Sequence, residues 1–235
     1  MRRRLKKACL PRPGPVCARR TGRRRQGCLV AVEGIDGAGK TTQCARLARA
    51  LQERGWDVVG LREPTEGPYG RRIRELARSG RENVSVREEF ELFLRDREEN
   101  VRVNIRPALR RGAVVVLDRY YYSSIAYQGA RGLDPDFIRR ENEKIAPLAD
   151  LVILLTIPVE WIGRRIEGAR NQARDLFEKE DYLRRVKDLF DQMQDPQIVR
   201  IDATADEDVV FQGIQNALEP LLGKEQQEKA RSPDA

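Results

Sequence analysis

Residues 29–43 read LVAVEGIDGAGKTTQ, and within them Gly34-Ile35-Asp36-Gly37-Ala38-Gly39-Lys40-Thr41 fits the pattern G-x-x-x-x-G-K-[ST]. Glycines at these spacings let the backbone curl until successive N–H groups face inward, and a following helix N-terminus closes the nest around an anion. Lys40 adds a point charge for the β- and γ-phosphates of a nucleotide. The Thr41 hydroxyl is placed to bind the Mg²⁺ that travels with them. The flanks suit this reading: Leu29-Val30-Ala31-Val32 predicts a buried strand, and residues 42–54 predict an amphipathic helix with Cys44, Leu47, Ala48 and Leu51 on one face. Gly34, Ile35, Asp36, Gly37, Ala38, Gly39, Lys40, Thr41 and Thr42 are therefore the candidate phosphate-binding residues.

The same strand, loop and helix alternation continues along the chain. Apolar runs at 57–62, 113–118, 151–157 and 197–202 predict four more strands. Between them, helical periodicity covers 70–79, 86–111, 134–146, 160–170, 176–193 and 206–222, with Pro107 bending or restarting the second of these. Asp134 and Pro135 have the identities of an N-cap and a first helical residue. Repeated β-loop-α units give a parallel, five-stranded, three-layer α/β sheet. A chain of 235 residues with 40% hydrophobic content can bury the core of one such domain.

The net charge of +8 is local. Residues 1–27 hold eleven of the 45 Lys and Arg and none of the 37 acids, which leaves the body near −3. This arginine- and proline-rich stretch is expected to be a disordered, dispensable or misassigned extension, and a nucleic-acid partner is expected only if it functions as an arm. It lacks the apolar run of a secretory signal, and its prolines spoil a transit helix. The domain proper is expected over 28–222, followed by a frayed polar tail over 223–235. With four Cys, no C-x-x-C and no His, a disulfide framework, a zinc set and a histidine-based triad are disfavoured, and a reducing cytoplasm is expected. No apolar run is long enough to span a bilayer.

Further candidates sit where strands end. Asp118 closes the most apolar run in the chain, either as the metal-side partner of the phosphate loop or as a helix cap, and Arg119 follows it. Glu63-Pro64-Thr65-Glu66-Gly67 forms a loop after the second strand, where open α/β sheets bind ligands. Arginines 71, 72, 74 and 78 follow it, mostly facing solvent, with one free to reach a phosphate. Phe93 and Arg97, one turn apart, project from one helix side. Asn171-Gln172-Ala173-Arg174-Asp175 is a short basic connection between helices, which fits either a closing lid or an ordinary exposed corner.

Four strings, EGIDGAGKTTQ at 33–43, REPT at 62–65, LFLRDR at 92–97 and DRYYYSSIAYQG at 118–129, occur in the order and spacing of thymidylate kinases. The chain closely resembles that family from about 28 to 222. The resemblance implies a P-loop NTPase fold with a short lid at about 168–178, and Mg²⁺-dependent transfer of the ATP γ-phosphate to dTMP. It implies that Phe93 stacks on thymine, that Arg97 bonds its O4, and that Ser124 and Gln128 meet the base edge. Tyr127 would lie against the sugar 2′ position, Arg74 and Arg119 would hold the acceptor phosphate, and Glu63 would stand on the acceptor side. Asp36 would approach the 3′-hydroxyl and the metal's water shell, and Thr41 and Asp118 would be the metal-side residues.

With alanine at 38 the loop offers no basic residue, so the resemblance assigns that role to the lid, with Arg170 and Arg174 as candidates. Lys40, Asp36, Asp118, Arg119, Arg170 and Arg174 form the implied catalytic set, and a homodimer is implied. The chain departs from the family pattern at Leu176, where arginine is common, at 154–158, which lack an aspartate before the proline, and at Thr65-Glu66, where a glycine pair is common. Two other readings stay open: a P-loop kinase for another nucleotide or nucleoside, and a catalytically weak nucleotide-binding homologue.

Overall fold

The computed structural model describes residues 27–80, 84–161 and 173–231, with side chains in the last segment over 180–223. Strands β1 (Cys28–Glu33), β2 (Val58–Arg62), β3 (Val114–Asp118), β4 (Leu151–Thr156) and β5 (Ile198–Asp202) form one sheet in the order β2-β3-β1-β4-β5. All neighbouring pairs are parallel. The continuous apolar runs of β1, β3 and β4 fill the three inner places, where both faces are covered, while β2 and β5 take the edges with partial burial. In register, Val32 and Arg62 both lie beside Asp118, and Glu33 lies beside Leu154. The loops after β1, β2 and β3 therefore emerge together at one carboxyl edge, with β1 at the centre of the strand order.

Helix α1 (Lys40–Glu53) buries Cys44, Leu47 and Leu51, as its periodicity predicts. Helix α2 (Pro68–Ser79) starts earlier than predicted because Pro68 is already set to a helical φ and lacks an N–H that would go unpaired. A reciprocal Ser85 and Glu88 capping box opens α3 (Val86–Asn100). The helical stretch predicted over 86–111, with Pro107 bending or restarting it, is a rod in three parts: α3, a π-helical turn Val101–Ile105, and α4 (Arg106–Arg110). Pro107 is the cause: it has no N–H to donate and its ring pushes on the preceding turn, so the helix widens there.

The segment after β3 forms α5 (Tyr121–Gly129). Helix α6 (Pro135–Ile145) follows and has the predicted cap, with Asp134 accepting from the Asp136 and Phe137 N–H groups at 3.0 and 3.2 Å. A helical turn opens at Glu160; the rest of the helix predicted over 160–170 lies outside the described residues. Helix α7 (Ala173–Gln192) begins earlier than predicted, so Ala173, Arg174 and Asp175 are helical rather than part of a connecting loop. Helix α8 (Glu207–Arg231) runs past residue 222, where fraying was expected, because its Lys, Glu, Gln and Ala residues are strong helix formers. Among the described residues, no helix is long and apolar enough to cross a membrane.

Candidate active site

The loop between β1 and α1 has the predicted conformation. Gly34, Gly37 and Gly39 have φ of 139°, 82° and 90°, and a Cβ on Gly34 would overlap the Leu155 carbonyl of the neighbouring strand. Lys40 is buried, and its Nζ donates to the Ile35 carbonyl at 2.7 Å. Burial pushes its ammonium group down to about 8, and Arg119 adds to the effect against the opposing pull of Asp36, Glu33 and Asp118. Thr41 Oγ donates to Asp118 Oδ2 at 2.6 Å, and Arg62 Nε stands 3.7 Å from the same oxygen. Asp118 thus faces the phosphate loop and caps no helix.

The cap at the start of α5 is Glu33, which sequence reasoning did not single out. Its buried carboxylate accepts from the Tyr120 N–H (2.7 Å), the Ser123 N–H (3.2 Å) and the Ser123 hydroxyl (2.6 Å). The signal available was an acid placed directly before the first glycine of the loop. Arg119 lies between Asp118 and this cap with φ of 73°, a left-handed conformation uncommon for a residue with a Cβ. Its guanidinium donates to Ser123 Oγ (2.9 Å) and to Asp36 Oδ1, and lies 5.1 Å over the Tyr127 ring. Burial pushes the Asp36 carboxyl up, but Arg119 and Lys40 outweigh it and hold the group below the usual carboxylate range. The Tyr127 phenol is pushed up by burial and stays neutral.

Across the crevice, Arg74 on α2 donates to the carbonyls of Pro64 (3.1 Å) and Thr65 (2.7 Å) and pairs with Glu66 (2.6 Å). Gly70 makes this packing possible, since a Cβ there would overlap the Thr65 carbonyl and press on Asp96 Oδ1 at 2.9 Å. Asp96 in turn accepts from the Thr65 N–H and hydroxyl at 2.8 and 2.6 Å. Gly70→Ala is expected to cost about 1–3 kcal/mol by overpacking and to weaken acceptor binding. Thermal unfolding together with the KM for the acceptor checks this; a parent-like value of both would refute it.

The remaining acceptor-side residues converge on Arg97, which is 1% exposed. Its Nε donates to Glu63 Oε2 at 2.8 Å, and its NH1 donates to Ser124 Oγ at 3.2 Å and Asn142 Oδ1 at 2.5 Å. Glu63 therefore sits behind Arg97, with its second oxygen accepting from Asn100 Nδ2 at 3.0 Å. Burial raises the Glu63 carboxyl while Arg97 opposes. Phe93, half-buried, lies one turn before Arg97 on α3; Gln128, one turn after Ser124 on α5, is buried, and its Oε1 meets no donor among the described residues. Asn100 and Asn142 were missed, having no local pattern to mark them. Arg170 and the side chain of Arg174 lie outside the described residues.

On the other side of the loop, an open cleft of about 710 Å³ lies at the carboxyl ends of β4 and β5, bordered by Thr156, Glu160, Arg184, Lys187, Asp202 and Thr204. Among the described residues no group of three or more His, Cys, Asp or Glu could hold a metal ion. One hydroxyl beside one carboxylate, Thr41 and Asp118, is nonetheless a donor set that suits Mg²⁺, which takes one or two protein oxygens and completes its shell with phosphates and water.

A phosphate loop after the central strand, with a strand-end carboxylate on its threonine and an arginine on its aspartate, is the arrangement of a P-loop kinase. The family model described as thymidylate kinase matches residues 32–214. A thymidylate kinase of Akkermansia muciniphila is 48% identical over 194 residues, 83% of this chain and 92% of that protein. A probable thymidylate kinase of Archaeoglobus fulgidus is 46% identical over 194 residues, 83% and 96% of the two chains. One from Desulfotalea psychrophila is 44% identical over 196 residues, again 83% and 96%. The chain belongs to the thymidylate kinase family.

Proposed function

We propose that this protein phosphorylates dTMP to dTDP by in-line transfer of the ATP γ-phosphate. The observation that carries the choice of acceptor is the polarity of the buried side chains that α3 and α5 bring together. Arg97 offers only donors, and Gln128 Oε1 is a buried acceptor that meets no donor among the described residues. Thymine presents the complement, an O4 acceptor beside an N3–H donor; cytosine presents the reverse, an amino donor beside an acceptor nitrogen. Phe93, one turn from Arg97, is placed to stack on the base.

Little covalent work falls to the protein, which must align two polyanions and stabilise the charge that spreads over the transferring group. The backbone N–H groups of the loop cradle the donor phosphates, and Lys40 exchanges the Ile35 carbonyl for a phosphate oxygen. Arg119, aimed by Ser123 and Asp36, and Arg74, which exchanges the exposed Glu66 carboxylate for phosphate, hold the acceptor. Tyr127, packed under Arg119, stands against the sugar. Mg²⁺, when bound, neutralises β- and γ-phosphate charge, and Thr41 and Asp118 would hold it. A basic residue of the lid, Arg170 or Arg174, completes the charge around the transferring group. We place this activity in a cytoplasmic homodimer.

The test is ATP-dependent turnover of dTMP, dUMP, dCMP, dGMP, AMP and UMP, with Lys40→Ala as the blank. The expected result is a kcat/KM for dTMP about 100-fold or more above that for dCMP, the scale on which a hydrogen-bonding site rejects a mismatched analogue. Higher turnover of another acceptor would overturn the substrate assignment, and no turnover of any would favour a binding role.

A further inference from the structure

The three acceptors around Arg97 come from three separate elements, and they commit one particular edge of its guanidinium. Glu63 takes the Nε hydrogen, while Ser124 and Asn142 take NH1. The Tyr120 ring backs the group at 5.6 Å from Cζ. Among the described residues no hydrogen bond is made by NH2, so NH2 is the edge left for a ligand.

Two of the acceptors have other duties: Glu63 also binds Asn100, and Ser124 is itself a proposed base contact. Asn142 is different. It sits on α6, fully buried, and among the described residues its side-chain oxygen bonds Arg97. Its Nδ2 donates to the Ile138 carbonyl of its own helix at 2.8 Å, which turns Oδ1 toward Arg97. The helix is itself fixed at its start by the Asp134 cap, and the Pro147 carbonyl just beyond its end accepts from Tyr120 OH at 2.8 Å.

We infer that Asn142 is a positioning residue for base selection: by holding NH1 of Arg97 it presents NH2, and only N–H donors, to the base. This rests on Arg97 reading the base, as proposed above. An arginine free to turn would swing away from the 4-amino group of cytosine and admit water. A held arginine leaves donor against donor in a buried site, with both unpaired. Asn142 therefore acts on the difference between thymine and cytosine, without touching either.

The experiment compares kcat/KM for dTMP and dCMP, with thermal midpoints, in the full chain and its Asn142→Leu and Asn142→Asp variants. Asn142→Leu removes the acceptor at similar volume, whereas Asn142→Asp keeps an oxygen for NH1. The expected result is a dTMP to dCMP ratio that falls about tenfold or more in Asn142→Leu, through a lower KM for dCMP as well as a higher one for dTMP, and stays near the parent value in Asn142→Asp. If both acceptors lose the same factor in Asn142→Leu, as a purely structural defect would give, the inference is overturned. A ratio in Asn142→Asp as low as in Asn142→Leu overturns it as well. Should Asn142→Leu fail to fold, Asn142→Ser, too short to reach NH1, takes its place with the same expectations. Arg97→Ala in the same assay separates the two levels: an unchanged ratio there defeats the base-reading role of Arg97, whereas a collapsed ratio there with an intact one in Asn142→Leu defeats only the role of Asn142.

Discussion

Replacing Lys40 by alanine is expected to lower kcat by about 10²–10³-fold while leaving the protein folded, the scale of losing one preorganised charge at a transition state. The side chain is buried at the mouth of the phosphate loop and, among the described residues, bonded only to the Ile35 carbonyl, so its removal orphans a single backbone oxygen. What is lost is a desolvated cation that meets charge developing on the transferring group. The same burial sets a pH signature. With the ammonium pulled down to about 8, the charged fraction in the free enzyme declines above that pH. Because kcat/KM for ATP reports the free enzyme, it should fall on the alkaline side with a midpoint near 8, while bound phosphates raise the group and carry the limb of kcat to higher pH. Steady-state kinetics from pH 6 to 10 on the parent and Lys40→Ala, with a denaturation midpoint for each, checks both parts. A loss under tenfold, or an alkaline limb that persists in Lys40→Ala, would remove Lys40 from the chemistry.

The parts of this protein legible in its sequence are those whose physics is local. The inner strands announce themselves because strands covered on both faces are apolar at every position, and the phosphate loop because its glycines must adopt positive φ within a few residues of one another. Asp118 could be read as a metal-side acid or a helix cap; in the structure it accepts from Thr41, and Glu33, from the neighbouring strand, takes the cap. That choice depends on strand order, which no local spacing encodes. Asn142 is less visible still, lying 45 residues from Arg97 in a helix whose own pattern predicts only a buried side. Pro107 was legible as a disturbance, but its accommodation by a widened turn depends on how the rod packs. The resemblance to thymidylate kinases implies ligand contacts for Phe93, Arg97, Ser124 and Gln128, whereas Asn100 and Asn142, which bond Glu63 and Arg97, carry no such motif.

Glu63→Ala is expected to be the most destabilising single change around the pocket, by about 3–5 kcal/mol, the cost of stranding one member of a buried ion pair. Arg97 and Glu63 have side chains only 2% and 3% exposed, so the charge left behind cannot recruit bulk water. Asn100 Nδ2 would lose its acceptor at the same time. At roughly 2–4 °C per kcal/mol for a chain of this size, the midpoint should drop by roughly 6–20 °C. The nearby Arg74 and Glu66 pair is the control: the Glu66 side chain is 91% exposed, so Glu66→Ala should cost no more than about 1 kcal/mol. Removing both buried charges in Glu63→Ala/Arg97→Ala should be less destabilising than the sum of the single changes, because the double variant leaves no unpaired cation behind. Urea unfolding of the parent, the two single variants and the double variant measures this coupling. Additive losses would mean that Asn142 and Ser124 alone can hold the Arg97 charge, and that Glu63 serves the loop after β2 rather than the arginine.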